Sequence, residues 1–107
     1  MIKDEFRNIL TKRISLHPED YINIEKCWEE ETRILTSNME QAINFIINEC
    51  TDDEFYWMSE IFEDIAHDSP SIDFVDALKK RVNLMNDGED KNSVLREIKS
   101  VQNIVEC

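Results

Sequence analysis

Apolar residues recur three and four positions apart along almost the whole chain, a spacing that confines it to helices. Ile2, Phe6, Ile9, Leu10 and Ile14 form the first stripe, and Tyr21, Ile24 and Trp28, continued by Ile34 or Leu35, the second. Met39, Ile43, Phe45, Ile46 and Ile47 form the third, and Phe55, Met58, Ile61, Phe62 and Ile65 the fourth. Phe74, Val75, Leu78 and Val82 make the fifth; Val94, Leu95, Ile98, Val101, Ile104 and Val105 make the last. Boundary signals fall between them. Pro18 suits a first helical turn, where Glu19 and Asp20 favour the dipole. Ser37 with Glu40 and Thr51 with Glu54 have the capping-box spacing, in which hydroxyl and carboxylate satisfy each other's backbone N–H groups. Asp68-Ser69-Pro70 ends one helix and starts the next, and Asn86-Asp87-Gly88 is a turn. The most strand-like segment, 42–47, lacks alternation. The expectation is an all-α fold, an irregular bundle or short solenoid-like stack of about six amphipathic helices, with residues 1–107 as a single helical domain.

Composition removes the alternatives. One glycine and two prolines in 107 residues are too few for a turn-rich sandwich or barrel, and a lone glycine builds no Gly-rich phosphate loop. No uncharged run approaches the roughly 18 residues of a membrane span. Lys3, Asp4, Glu5, Arg7, Lys12 and Arg13 make the N-terminus unlike a signal peptide. Cys27, Cys50 and Cys107 form no CxxC pair, and an odd number without an export signal reads as reduced thiols in a cytoplasmic protein.

Charge is unevenly placed. Twelve Lys and Arg face 24 Asp and Glu, a net of −12. Residues 1–16 carry four basic and two acidic groups, residues 17–68 two basic and fifteen acidic, and residues 69–107 six basic and seven acidic. The excess therefore lies in the middle of the chain. Such a surface repels nucleic acid and anionic membranes and attracts cations and basic proteins.

Catalytic signals are weak. His17 and His67 lie in no motif; His67 with Asp64, three residues before it, provides too few ligands for a metal. Cys27 and Cys50 read as small core or boundary residues. Glu29-Glu30-Glu31 and Asp52-Asp53-Glu54 lack the glycine turn of a calcium loop. Lys79-Lys80-Arg81 reads as a solvated helix end with favourable dipole charge. The chain is therefore expected to be no enzyme, with neither metal nor cofactor. A metal-dependent hydrolase using the carboxylates is the weakest alternative.

The segment from Thr51 to Asp68 is more informative. At 100° per residue, Phe55, Met58, Ile61, Phe62 and Ile65 share one sector, the core side. The opposite side collects Asp53, Trp57, Glu60 and Asp64, with Tyr56 and His67 at its edge. Aromatic residues anchor protein interfaces, and carboxylates around them recruit arginine or lysine. Asp53, Tyr56, Trp57, Glu60 and Asp64 are therefore the expected partner-binding residues. The competing expectation is that Trp57 packs against a neighbouring helix. Trp28, aligned with Tyr21 and Ile24, is expected in the core.

The run Glu49-Cys50-Thr51-Asp52-Asp53-Glu54-Phe55-Tyr56-Trp57-Met58-Ser59-Glu60-Ile61-Phe62-Glu63-Asp64-Ile65 resembles small acidic immunity proteins of bacterial toxin systems, including those of contact-dependent growth inhibition. The resemblance continues through Ser71, Phe74, Val75, Leu78 and Arg81 and reaches back to Cys27-Trp28. It implies a cytoplasmic protein, monomeric alone, that binds one cognate toxin domain one to one and blocks it. Many such toxins are basic nucleases, so a ribonuclease is the foremost partner; nucleic acid and membrane are not. No inhibitory residue carries over from the family. The second reading is a non-enzymatic helical adaptor or structural domain in a larger assembly.

Overall fold

Helices form where the stripes lie, with two local departures. In a computed structural model of the protein, the described residues are 1–106; Cys107, expected as a reduced thiol, lies outside them. Helix α1 spans Ile2–Ser15 and α2 spans Tyr21–Ser37. α3, Met39–Asn44, runs into a π-helical turn at Phe45–Glu49. α4, Asp52–Met58, passes through a 3₁₀ turn at Ser59–Ile61 into α5, Phe62–Asp68. α6 is Ile72–Val82 and α7 is Glu89–Val105. Six helical rods result, and no strand occurs among the described residues. The protein is an all-α bundle.

Caps explain most of the boundaries. Thr51 and Glu54 form the expected box: the Glu54 N–H donates to Thr51 Oγ1 at 3.1 Å, and the Thr51 N–H donates to Glu54 Oε1 at 2.9 Å. Ser71 caps α6 by accepting from the Phe74 N–H. The Ser37 box does not form. Ser37 is the last residue of α2, its hydroxyl donates to the Ile34 carbonyl, and Asn38 caps α3 by accepting from the Gln41 N–H. Asparagine one residue later offers an equally good acceptor on an already extended backbone, so the cap moves there. Nor does Pro18 open a helix: it sits in the turn before α2, and Asp20 is the cap.

The α4–α5 rod is expected as one continuous helix, and it breaks at Ser59. The Ser59 hydroxyl bonds back to the Tyr56 carbonyl, a competition that tightens a turn locally. Three 3₁₀ residues advance by about 120° each instead of 100°, so the face before the turn is out of phase with the face after it. The rod's inner side is fully buried at Phe55, Met58, Ile61, Phe62, Ile65 and Ala66. Each large apolar side chain of this kind contributes about 1.5–3 kcal/mol on burial. The rod touches both α2 and α7, and the single buried cluster draws side chains from every helix. The Phe55 and Phe62 rings meet at a tilt with centroids 5.4 Å apart, and Phe62 meets Phe74 edge-on at 6.3 Å, which joins the rod to α6. The radius of gyration, 12.9 Å, matches a well-packed chain of this length.

Three stripe residues are exposed, and several others, Trp28 among them, lie at the edge of the core. Tyr21 is 68% exposed at the first position of α2. Ile14 is exposed in the last turn of α1. Leu95 is exposed because Val94, Ile98 and Val101 already fill the inward face of α7. Trp28 is only half-buried. Cys27 and Cys50 are both buried free thiols.

Candidate partner-binding groove

The basic N-terminal segment has its counter-ions inside the molecule. Along α1, Lys3 pairs with Glu49 at 2.8 Å, Arg7 with Glu54 at 2.7 Å and Arg13 with Glu60 at 2.7 Å. The ladder fastens α1 along the π turn, α4 and the 3₁₀ turn. Burial raises the Glu54 carboxyl, but Arg7 and the Thr51 cap outweigh it and hold the group below the usual carboxylate range. Arg81, expected as solvated, is buried instead. Its guanidinium lies over the Phe55 ring at 5.4 Å and donates to Asp52 at 2.7 Å and to the Cys50 carbonyl at 3.1 Å. It thereby ties α6 to the start of α4; Lys79, its neighbour, reaches Glu106 at 3.8 Å.

Among the described residues, these pairs leave most carboxylates of one groove without an ion-pair partner. A groove of about 620 Å³ runs between α2, α5 and α7. Trp28, Thr32 and Thr36 form its floor on α2, and seven carboxylates line it: Glu25, Glu29, Glu60, Glu63, Asp64, Asp68 and Glu97. Arg33 is the groove's one basic residue, and it is engaged by Glu30 at 3.0 Å. Among the described residues, Glu25, Glu29, Glu63, Asp64, Asp68 and Glu97 form no ion pair. The crowding registers in their acidity. Burial first, and then the charge of Glu63, raises both Asp64 and Glu97 above the ordinary range.

The expected site residues are spread over four hollows, one of which Tyr56 lines with Ser93 and Arg96. Glu60 and Asp64 line the groove just described. Tyr56, Trp57 and Glu60 line a second hollow with Trp28, Ser59, Ser93 and Glu97. Asp53 lies apart, in an acidic hollow against the loop 85–90. Asp53 and Asp64 are eleven positions apart, about 16 Å along a helix axis, and line different hollows. Trp57 is half-buried, packs on the core, meets Tyr56 edge-on at 5.9 Å and lies 5.1 Å under the Arg13 guanidinium. It already has a partner within the chain, as the competing expectation has it. Glu60 is similarly held, accepting from Arg13 Nε at 3.1 Å, from Arg13 Nη2 at 2.7 Å and from the Trp28 indole N–H at 3.1 Å.

Sequence reasoning missed Trp28 as a groove residue and missed Glu31 altogether. Trp28 packs partly on the core while its indole edge faces Glu60. Glu31 is 2% exposed, and its Oε2 has no hydrogen-bond partner. Burial, reinforced by Glu60 and opposed by Arg13, pushes its carboxyl up to about 8. The signal was present: residue 31 falls on the helical phase of Ile24, Cys27, Ile34 and Leu35.

Among the described residues, no group of three or more His, Cys, Asp or Glu side chains is arranged to hold a metal, and no helix is long and apolar enough to cross a membrane. Comparison with protein-family models, with curated proteins and with solved structures finds no match for the chain.

Proposed function

We propose that this protein is an immunity protein: in the cytoplasm it binds a cognate toxin domain, a basic nuclease and foremost a ribonuclease, and neutralises it one to one without chemistry of its own. The observation that supports this reading best is the groove's six carboxylates without an ion-pair partner among the described residues, gathered around Trp28. A partner presenting arginine or lysine would meet several acceptors in one concave surface, where charge-assisted hydrogen bonds are strongest. Complementary charge would speed encounter, up to about 10⁸–10⁹ M⁻¹s⁻¹ at low salt, and burial of Trp28 would slow release.

The test is co-purification with the product of the neighbouring reading frame, followed by a nuclease assay on total RNA. A basic domain that binds, and whose cleavage stops when this protein is added, is the expected result. Failure of any basic domain to bind sinks the reading.

A specific feature favours the adaptor alternative. Tyr21 and Ile22, adjacent at the start of α2, are 68% and 73% exposed, and an apolar pair of this kind suits docking on another helical protein. Light scattering on the purified chain separates the two. Self-association that Tyr21→Ser and Ile22→Ser abolish supports the adaptor; a monomer at all concentrations supports the immunity protein.

A further inference from the structure

Glu31 is a buried acid beside an ion pair that has two possible carboxylate partners. It belongs to α2, which packs against both α1 and the 3₁₀ turn, and it is 2% exposed with Oε2 unpaired. Two charges act on it from the facing elements: Arg13 from α1 and Glu60 from the 3₁₀ turn. On its own helix, the Cys27 thiol one turn back feels Glu31 in return. Arg13 is at present held by Glu60 through both guanidinium contacts, and Glu60 also accepts the Trp28 indole N–H.

An ionised carboxylate cannot stay both buried and unpartnered, because desolvation of the isolated charge far exceeds any packing gain. Glu31 therefore keeps its proton or recruits a cation. Arg13 is the cation placed to serve: it sits in the last turn of α1 on Glu60, and Glu60 is hydrogen-bonded to Trp28, three residues before Glu31 on α2.

We propose that Glu31 is a proton-gated competitor for Arg13: protonated, it leaves the guanidinium on Glu60; ionised, it draws the guanidinium inward and frees Glu60 at the mouth of the acidic groove. The proton leaves to solvent, no bond other than O–H breaks, and the guanidinium stays charged throughout. Two reporters lie on the path. Release of Glu60 alters the acceptor of the Trp28 indole N–H, and withdrawal of Arg13 uncovers the Trp57 ring. The effect on a cationic partner, an extra acceptor above the transition, rests on the function proposed above; the switch itself does not.

The test is a pH titration of the full chain from about pH 5 to pH 10 by nuclear magnetic resonance, following the Glu31 side-chain carboxyl carbon and the Trp28 indole N–H resonance. The expected result is one midpoint near 8 for both signals, with the Trp57 ring protons moving in the same step. In Glu31→Gln, which keeps the shape and removes the proton, the indole step vanishes. In Arg13→Gln the Glu31 midpoint rises and the indole no longer follows it. A Glu31 midpoint in the ordinary carboxylate range overturns the proposal, as does an indole resonance that stays still through the Glu31 midpoint. So does an indole step that persists in Glu31→Gln. The wild-type titration decides the matter even where a variant fails to fold. No toxin is present, so failure here leaves the partner reading standing, and failure to bind a basic domain leaves the switch standing.

Discussion

Individual residues differ in how far their roles can be read locally. Thr51 and Glu54 are legible because a capping box is a matter of spacing within four residues. Thr51→Ala removes one acceptor and loosens the carboxylate that Arg7 grips, so it is expected to cost about 1 kcal/mol, measured by urea unfolding. A cost near zero would mean that Arg7 alone positions Glu54. Glu31 is harder to see, because it closes a run of three glutamates that composition reads as solvated. Only the helical phase from Ile24 turns it inward. Its effect on stability has a definite sign. The native carboxyl sits near 8 against an ordinary 4.5, so the folded state holds the proton more tightly. That stabilisation is complete below pH 4.5 and fades by about 1.4 kcal/mol per pH unit as pH rises towards 8. Glu31→Gln is therefore expected to gain about 3 kcal/mol relative to the wild type between pH 4 and pH 7, because the amide does not titrate and any cost of burying it is the same at both pH values. An equal difference at both pH values would show that Glu31 does not titrate differently on folding.

Helical elements were visible as stripes, but their irregularities were not. A uniform 100° projection treats 51–68 as one rod. It places the right residues inward, because the core side is broad enough to absorb a phase error. It groups the outward residues by angle alone and ignores their spread along the axis, so Asp53 and Asp64 share a face in projection and yet line different hollows. Ser59 supplies the cause of the phase error through a single hydroxyl bond, a signal no apolar pattern carries. Arg81 is a second case. Three consecutive basic residues look like a helix end in water, yet the sequence does not show that Cys50, thirty-one positions earlier, leaves its carbonyl facing α6. Arg81→Ala leaves that carbonyl unsatisfied and Asp52 unpaired. A loss of about 2 kcal/mol is expected. Arg81→Lys should recover only part of it, since an ammonium lacks the fork and the flat face over Phe55. Full recovery by lysine would mean that charge alone fastens α6 to α4.

At the scale of the whole molecule, the charge asymmetry of the sequence becomes two opposed fields. The net charge is −12 in a body of 32 × 31 × 26 Å. α1 neutralises one side through three contact pairs, and six of the groove's seven carboxylates form no ion pair among the described residues. Salt acts on both. Going from about 0.01 M to about 1 M shortens the screening length from about 30 Å to about 3 Å. Repulsion among groove carboxylates acts over many ångströms and is screened almost fully. The α1 pairs are contacts under 3 Å, exposed ones of this kind contribute at most about 1 kcal/mol each, and tight contacts lose only part of that. Repulsion is the larger change, so the free protein should gain about 1 kcal/mol, a rise of roughly 5 °C in thermal midpoint. A fall in midpoint would mean that the α1 ladder outweighs the groove. Any complex with a basic partner should respond in the opposite direction, since the same screening removes the attraction that brings the two together. Lysine at Glu63 and Asp64 tests this without disturbing Glu60, which the fold itself uses. The double variant should raise the free protein's midpoint at low salt while slowing association with a basic partner at least tenfold. The same pair of changes thus moves stability and binding in opposite directions, an outcome that simple damage to the fold would not give.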